Sequence, residues 1–428
     1  TGLPSQLQPV PAPDPVTGLI AANWAVSYTL QTDPAWPSGV YLAKLIGRTW
    51  TGYIPFVVRA DGTPADILYQ VPVTTWQAYN DWGGKSLYDY QSPGGRAYKV
   101  SFDRPYNQWS GAGYLFEGDY NAIRWLEQQG YNVTYVTSLD VHTTPQVFQG
   151  RKVFVSFWHD EYWSKPMRDN LTAARNAGVH LAFFDSNNLY WQVRLEPNAS
   201  GAANRVMVCY KDASLDPGQG SLTTVQWREP PVNQPENALL GSMYESQFDY
   251  GTSFPWVVTN ASHWIYAGTG LQDGQQIPGL VGYEYDKVWN NGQTPAGVVA
   301  LSASPVTDYQ RITSVHQATY YRAASGAMVF NAGTNYWAWK LDDNSYQQHG
   351  ADARVQRMTA NLLAAMIANQ PGAGAPPTPT TTPTATPTRT ASPTATIVLP
   401  AGVRYSWDTP GDTQGWQRMR GEVTSVAQ

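Results

Sequence analysis

The chain has 428 residues and a net charge of −5; only 14% of its residues are charged, while aromatics reach 13%, with 18 Trp and 27 Tyr. That length allows a large core and more than one domain. The slight acidity excludes a phosphate-tracking nucleic-acid surface. The single cysteine, Cys209, excludes an internal disulfide and a CxxC metal knuckle, and no run of 18 apolar residues offers a membrane-spanning helix.

Residues 1–65 are rich in Pro, Gly and β-formers. "NWAVSYTLQ" and "GYIPFVVRADG" alternate apolar and polar positions between turn signals, which predicts the last strands of a truncated β-sandwich. Over residues 66–371 the pattern changes. "DILYQVPV" predicts a strand. "EGDYNAIRWLEQQGYNVTYVTS" sets Ile123, Trp125 and Leu126 at helical spacing, stops at Gly130 and turns into a strand. "RKVFVSFW" is a continuous apolar strand. "SKPMRDNLTAARNAG" predicts a helix with Ser164 as N-cap, Pro166 in its first turn, Leu171 and Ala174 on one face, and Gly178 at its end. "VHLAFFDS" is another apolar strand. Alternating strands and helices predict an α/β core with a mainly parallel sheet, in outline like class I glutamine amidotransferase domains.

After about Ser200 the chain becomes loop-rich and β-like. "ADARVQRMTANLLAAMIAN" then closes the domain as an amphipathic helix with Val355, Met358, Leu362 and Met366 on one stripe. Residues 372–397 form a Pro/Thr-rich linker that cannot bury a core and stays extended, as in stalks of extracellular or cell-surface proteins. Residues 398–428 read as the start of a truncated β module.

Ligands of open α/β sheets bind beyond the carboxyl ends of the strands. One predicted strand ends in His159, Asp160 and Glu161, the next in Asp185, Ser186, Asn187 and Asn188, and a third leads into Tyr79, Asn80 and Asp81. Alternation sends His159 and Glu161 to one side and Asp160 to the other. A histidine beside a carboxylate can act as base and orienter, or as metal ligand and partner. Equally, Asp160 and Glu161 can cap the helix that follows.

GxSxG, HExxH, P-loop and GxGxxG motifs are all absent. Cys209, in "RVMVCYKD", sits in a predicted strand rather than at the elbow an amidotransferase needs. A hydrolytic site therefore needs a His/carboxylate base or a metal bound through oxygen ligands. Two other functions stay open. Glu161 and Asp185 could pair for glycoside hydrolysis. Trp76, Trp82, Trp158 and Trp163 could serve an extracellular carbohydrate- or polymer-binding surface with a vestigial site.

"WPSGVYLAKL", "YIPFVVR", "VPVTTWQAYNDWGGKSLY", "EGDYNAIRWLEQQGYNVTYVTSLD", "FVSFWHDEYWSKPMRDNL" and "LAFFDSNNLYWQVR" together resemble the large (beta) subunit family of N,N-dimethylformamidase, from about Trp36 to Asn369. The resemblance implies a mononuclear Fe(III) held by two tyrosines and a glutamate, at Tyr41 in "SGVYLAKL", Tyr79 in "WQAYNDWGG" and Glu161 in "HDEYW". It implies catalytic roles for His159 and Asn187, and for Glu284 in "GLVGYEYDK". It also implies that Tyr41 folds over the sheet edge to complete the site. The expected reaction is metal-dependent hydrolysis of an amide-type C–N bond in a small molecule other than dimethylformamide itself. The stalk departs from a cytoplasmic amidase of large and small subunits; a homo-oligomer is compatible, and a small subunit is left open.

Overall fold

The computed structural model describes residues 8–47, 49–371 and the backbone of 397–398. The expected linker (372–397) and final module (398–428) lie outside the described residues, apart from the two-residue strand Ile397–Val398.

Residues 8–38 contain turns but no strand or helix. "NWAVSYTLQ" is therefore not a strand. Trp24 instead packs edge-on against Trp82 and donates to the Pro9 carbonyl at 2.9 Å. Alternation alone does not make a strand when no neighbour supplies the ladder. The first regular elements are β1 (Gly39–Ile46) and β2 (Thr51–Val58), an antiparallel hairpin. Ser38 Oγ fastens the base of this hairpin to the Thr134 hydroxyl and the Tyr135 N–H.

The elements that build the site follow in chain order. They are β3 (Ile67–Val71), α1 (Val73–Tyr79), α2 (Tyr120–Gln128), β4 (Val133–Thr137), β5 (Val153–His159), α3 (Lys165–Asn176) and β6 (His180–Ser186). Later come β7 (Glu284–Lys287), β8 (Val299–Ala300), β9 (Thr319–Arg322), β10 (Met328–Asn331) and α4 (Ala353–Ala368). The largest sheet has seven strands in the order β8-β9-β10-β6-β5-β3-β4.

Its strands feed two separate cores because side chains alternate across the pleat. Tyr69, Val155, Phe157, Ala182 and Phe184 join one core, with Trp125 and Leu126 of α2 and Met358 and Leu362 of α4. Leu68, Phe154, Leu181 and Phe183 join the other, with Met167, Leu171 and Ala174 of α3. Each such large side chain contributes about 2 kcal/mol by leaving water.

The local signals in the sequence explain the helices. Ser164 caps α3, accepting from the Met167 N–H at 3.3 Å, and Pro166 sits in the first turn. Gly178, at φ +102°, takes the left-handed conformation just past its end. Asp352 caps α4 by accepting from the Arg354 N–H at 2.8 Å.

The expected fold class needs correction. The protein is β-rich, and its strands are divided among several sheets, most of them small, with more antiparallel than parallel pairings. Parallel pairing lies mainly inside the seven-stranded sheet, which is mixed: β4, β3, β5, β6 and β10 run parallel, β9 runs against them, and β8 pairs antiparallel with β9. A mainly parallel, glutamine-amidotransferase-like α/β core does not describe this arrangement. Nor is there a β-sandwich tail before it among the described residues, where β1 and β2 form a hairpin with Ile397–Val398 beside β1 in a single small sheet. The physical reason lies in the later chain. There, Phe254–Val257 with Gln276–Val281 and Ser304–Thr307 with Thr313–His316 are antiparallel, and the short link between Thr307 and Thr313 leaves no room for the helical crossover that parallel neighbours need.

Candidate active site

The end of β5 carries the centre of the site. Trp158 turns the strand with φ +68°, a conformation rare for a bulky residue, and His159 follows in register with Ser186 of β6. Glu161 is 2% exposed. Its backbone N–H donates to Thr75 Oγ1 at 2.9 Å, which ties the strand end to α1. Tyr79 is the last residue of α1, and Asn80 closes the helix by donating its N–H to the Gln77 carbonyl.

Two phenols meet at Glu161, and a third joins them through Tyr88. Tyr79 donates to Glu161 Oε2 at 2.7 Å. The Tyr88 hydroxyl lies 2.7 Å from that of Tyr79 and 3.0 and 3.2 Å from the two Glu161 oxygens. Tyr162 donates to Tyr88 at 2.7 Å. Tyr88 has one proton and three acceptors within reach, so the cluster is short of protons while Glu161 is ionised. Burial pushes Glu161 above the usual carboxylate range, against the pull of the His159 charge. Burial, then the Glu161 charge, pushes the Tyr79 and Tyr88 phenols well above their ordinary value.

His159 and Glu284 stand beside this cluster, each 4% exposed. The His159 ring packs edge-on to Tyr79 at 5.7 Å. His159 Nε2 lies 2.8 Å from Glu284 Oε2, an ion-pair distance. The two atoms are not aligned for a hydrogen bond, and neither finds another partner among the described residues, nor does His159 Nδ1. Burial pulls the His159 pKa down, but the charges of Glu284, Glu161 and Asp185, Glu284 foremost, together outweigh it and raise it to about 9. The imidazole is therefore charged at neutral pH.

Asn187 follows β6 at φ +58°. Its N–H donates to Asp286 Oδ1 of β7 at 2.9 Å, and its side-chain oxygen is buried without a partner among the described residues.

The structure thus brings Tyr79, Glu161, His159 and Glu284 together, with Asn187 at the neighbouring strand end. Tyr41 sits in the β1–β2 hairpin, where its ring stacks on Trp36 and Phe56 and its hydroxyl donates to the Pro37 carbonyl at 2.9 Å. Asp160 faces the other way. It accepts from Gln70, Ser156 and the Trp163 indole, and burial raises its pKa to about 7. Ser156 also links it to Asp185 at 3.1 Å. Asp185 therefore belongs to the Asp160 network. Trp76, Trp82, Trp158 and Trp163 are all at most 4% exposed, so they are core residues rather than a surface stacking platform.

Two participants were not singled out in the sequence. Tyr88 arrives on the loop after α1, where one tyrosine among 27 carries no signal of its own. Lys211 follows Cys209 and Tyr210, and its ammonium lies 3.6 Å from the centre of the Tyr88 ring. Burial pulls its pKa down to about 8. Among the described residues no three His, Cys, Asp or Glu side chains converge as a metal-binding group. The oxygen donors gathered at Glu161 are phenols and one carboxylate. No helix among the described residues is long and apolar enough to cross a membrane.

A model of the family described as N,N-dimethylformamidase beta subunit-like, C-terminal, matches residues 1–350. No curated protein matches the sequence.

Proposed function

The chain belongs to the N,N-dimethylformamidase beta subunit-like, C-terminal family, and from that premise we propose that it hydrolyses an amide-type C–N bond of a small molecule at the Glu161 cluster. One observation carries the proposal: a buried carboxylate meets two phenol hydroxyls within 3.2 Å, beside a histidine paired with a second buried carboxylate. Ionisable groups are costly to bury, and such clusters concentrate where chemistry is done.

Fe(III) is the cofactor that the resemblance implies, and the donor chemistry fits it. Phenols and a carboxylate are hard oxygen ligands of the kind such an ion takes. Tyr79 and Glu161 would hold it. Tyr88 offers the phenol next to both, and Tyr41 is the one the resemblance implies. When bound, the ion supplies Lewis acidity toward the amide carbonyl.

The protein's own groups handle the protons. His159 carries a proton at neutral pH, and Nε2 can deliver it to the departing nitrogen, with Glu284 at 2.8 Å stabilising the cation until then. Asn187 Oδ1, buried and unpartnered, can accept from a water or a substrate N–H and so set its orientation. The burial of Glu161, His159 and Glu284 keeps bulk water from screening these interactions.

Amine release from a panel of formamides, acetamides and N-alkyl amides tests the proposal. The protein is expected to release amine from at least one member, and Glu161→Gln to do so at least about 100-fold more slowly. No release across the panel, together with clear binding on a glycan array, would overturn hydrolysis in favour of a binding protein.

A further inference from the structure

Lys211 occupies a place that its chemistry does not favour. Lysine ammoniums normally reach bulk water or a carboxylate. Here Nζ lies over three rings, 3.6 Å from the centre of Tyr88, 4.9 Å from Trp191 and 5.3 Å from Tyr162. Among the described residues no carboxylate stands at ion-pair distance from it. Its backbone is held at φ +59°, unusual for a lysine. The surroundings enforce that conformation. The Lys211 N–H donates to the Thr224 carbonyl, Tyr210 N–H donates to Thr224 Oγ1, and Thr224 is fixed in turn by Asp216. A strained residue that its neighbours over-determine, next to a reactive cluster, points to a role there.

The Tyr88 ring also stacks on Tyr79, with centroids 4.4 Å apart. Two neighbours as close as Lys211 and Tyr79 fit only on opposite faces, so Tyr88 is clamped between them. The clamp points the Tyr88 hydroxyl at Tyr79 and Glu161. A cation on the face of a phenol ring is attracted to it, the more so as the ring gains electron density.

We propose that Lys211 is a positioning residue of this site: its ammonium clamps Tyr88 against Tyr79 and sets a positive charge behind the phenols that meet Glu161. Its effect on turnover rests on the hydrolase function proposed above; the clamping does not.

Lys211→Met keeps the length of the side chain and removes the charge, and Lys211→Arg keeps the charge. Both are made in the full chain and compared by thermal unfolding, steady-state kinetics on the amide panel, and crystal structure. In Lys211→Met the melting temperature is expected to hold while kcat/KM falls about 10-fold or more, mainly in kcat, with the Tyr88 hydroxyl displaced from Glu161. Lys211→Arg is expected to restore most of the rate and the Tyr88 position. Wild-type kinetics with Tyr88 in place in Lys211→Met would overturn the proposal, as would an arginine variant no better than the methionine one. If the wild-type protein turns over no amide, the hydrolase function fails by itself and the crystal structure decides: a displaced Tyr88 supports the clamp and an unmoved one overturns it. If Lys211→Met does not fold, Lys211→Arg decides: Tyr88 in its wild-type position supports the clamp, and a displaced Tyr88 overturns it.

Discussion

Glu161 and Asp160 are neighbours with opposite fates, and two-residue alternation separates them. Glu161 goes to the phenols of Tyr79 and Tyr88, and Asp160 goes to Gln70, Ser156 and Trp163. A further carboxylate, Asp216, supports the site from a distance. It accepts from both terminal nitrogens of Arg194 at 2.7 Å, from the N–H and hydroxyl of Thr224 at 2.6 Å and from the Gly218 N–H at 2.8 Å. Burial would raise its pKa, but these partners prevail and lower it to about 2. A carboxylate whose folded value is depressed stabilises the fold above its unfolded value near 3.8, and that contribution fades as pH falls toward 2. Asp216→Asn is therefore expected to cost about 2–3 kcal/mol at pH 7 in urea unfolding, with the gap to wild type closing between pH 4 and 2. A gap that stays constant through that window would contradict the assignment. His159, Glu161, Asn187 and Tyr79 are named from sequence by local marks, such as a polar cluster ending an apolar run, and Tyr41 and Glu284 by the resemblance alone. Tyr88 and Lys211 have no such mark, because their role depends on where a loop comes to rest.

At the scale of elements, α3 was legible because its ends carry chemistry: Ser164 before it, Pro166 inside it and Gly178 after it. The Ser164 hydroxyl accepts from the Met167 N–H and also lies 2.7 Å from His142 Nδ1. Ser164→Ala is expected to lower stability by about 1 kcal/mol in a denaturant titration. A change indistinguishable from zero would mean that the cap contributes nothing. In contrast, α1 was not legible. Its seven residues, "VTTWQAY", follow a proline and include a valine and two threonines, and a run this short fits strand or helix equally well. What makes it a helix is tertiary: Thr74, Thr75, Trp76, Gln77 and Ala78 are all buried, and Thr75 receives the Glu161 N–H. "NWAVSYTLQ" errs in the opposite direction, with a good alternating pattern and no partner strand.

For the whole molecule, the run from β3 to β6 is readable as strands and helices, but the architecture is not. Which strands pair, and in which direction, depends on contacts far apart in sequence, such as β10 beside β6 and β9 turned against β10. Those pairings also deliver the distant half of the site. Glu284 stands on β7, 125 residues beyond His159 in sequence, and reaches it at 2.8 Å only in the folded chain. The resemblance names both residues for its expected catalytic set, a link that periodicity could not supply.

The central claim is that the Glu161 cluster is a hydrolytic site built on an iron held by phenols and a carboxylate. Iron content with the visible absorption spectrum of the purified protein tests it most directly. About one iron per chain is expected, with a phenolate-to-iron charge-transfer band that is lost or shifted in Tyr79→Phe. A colourless, iron-free protein, with the same metal content in Tyr79→Phe, would contradict the claim.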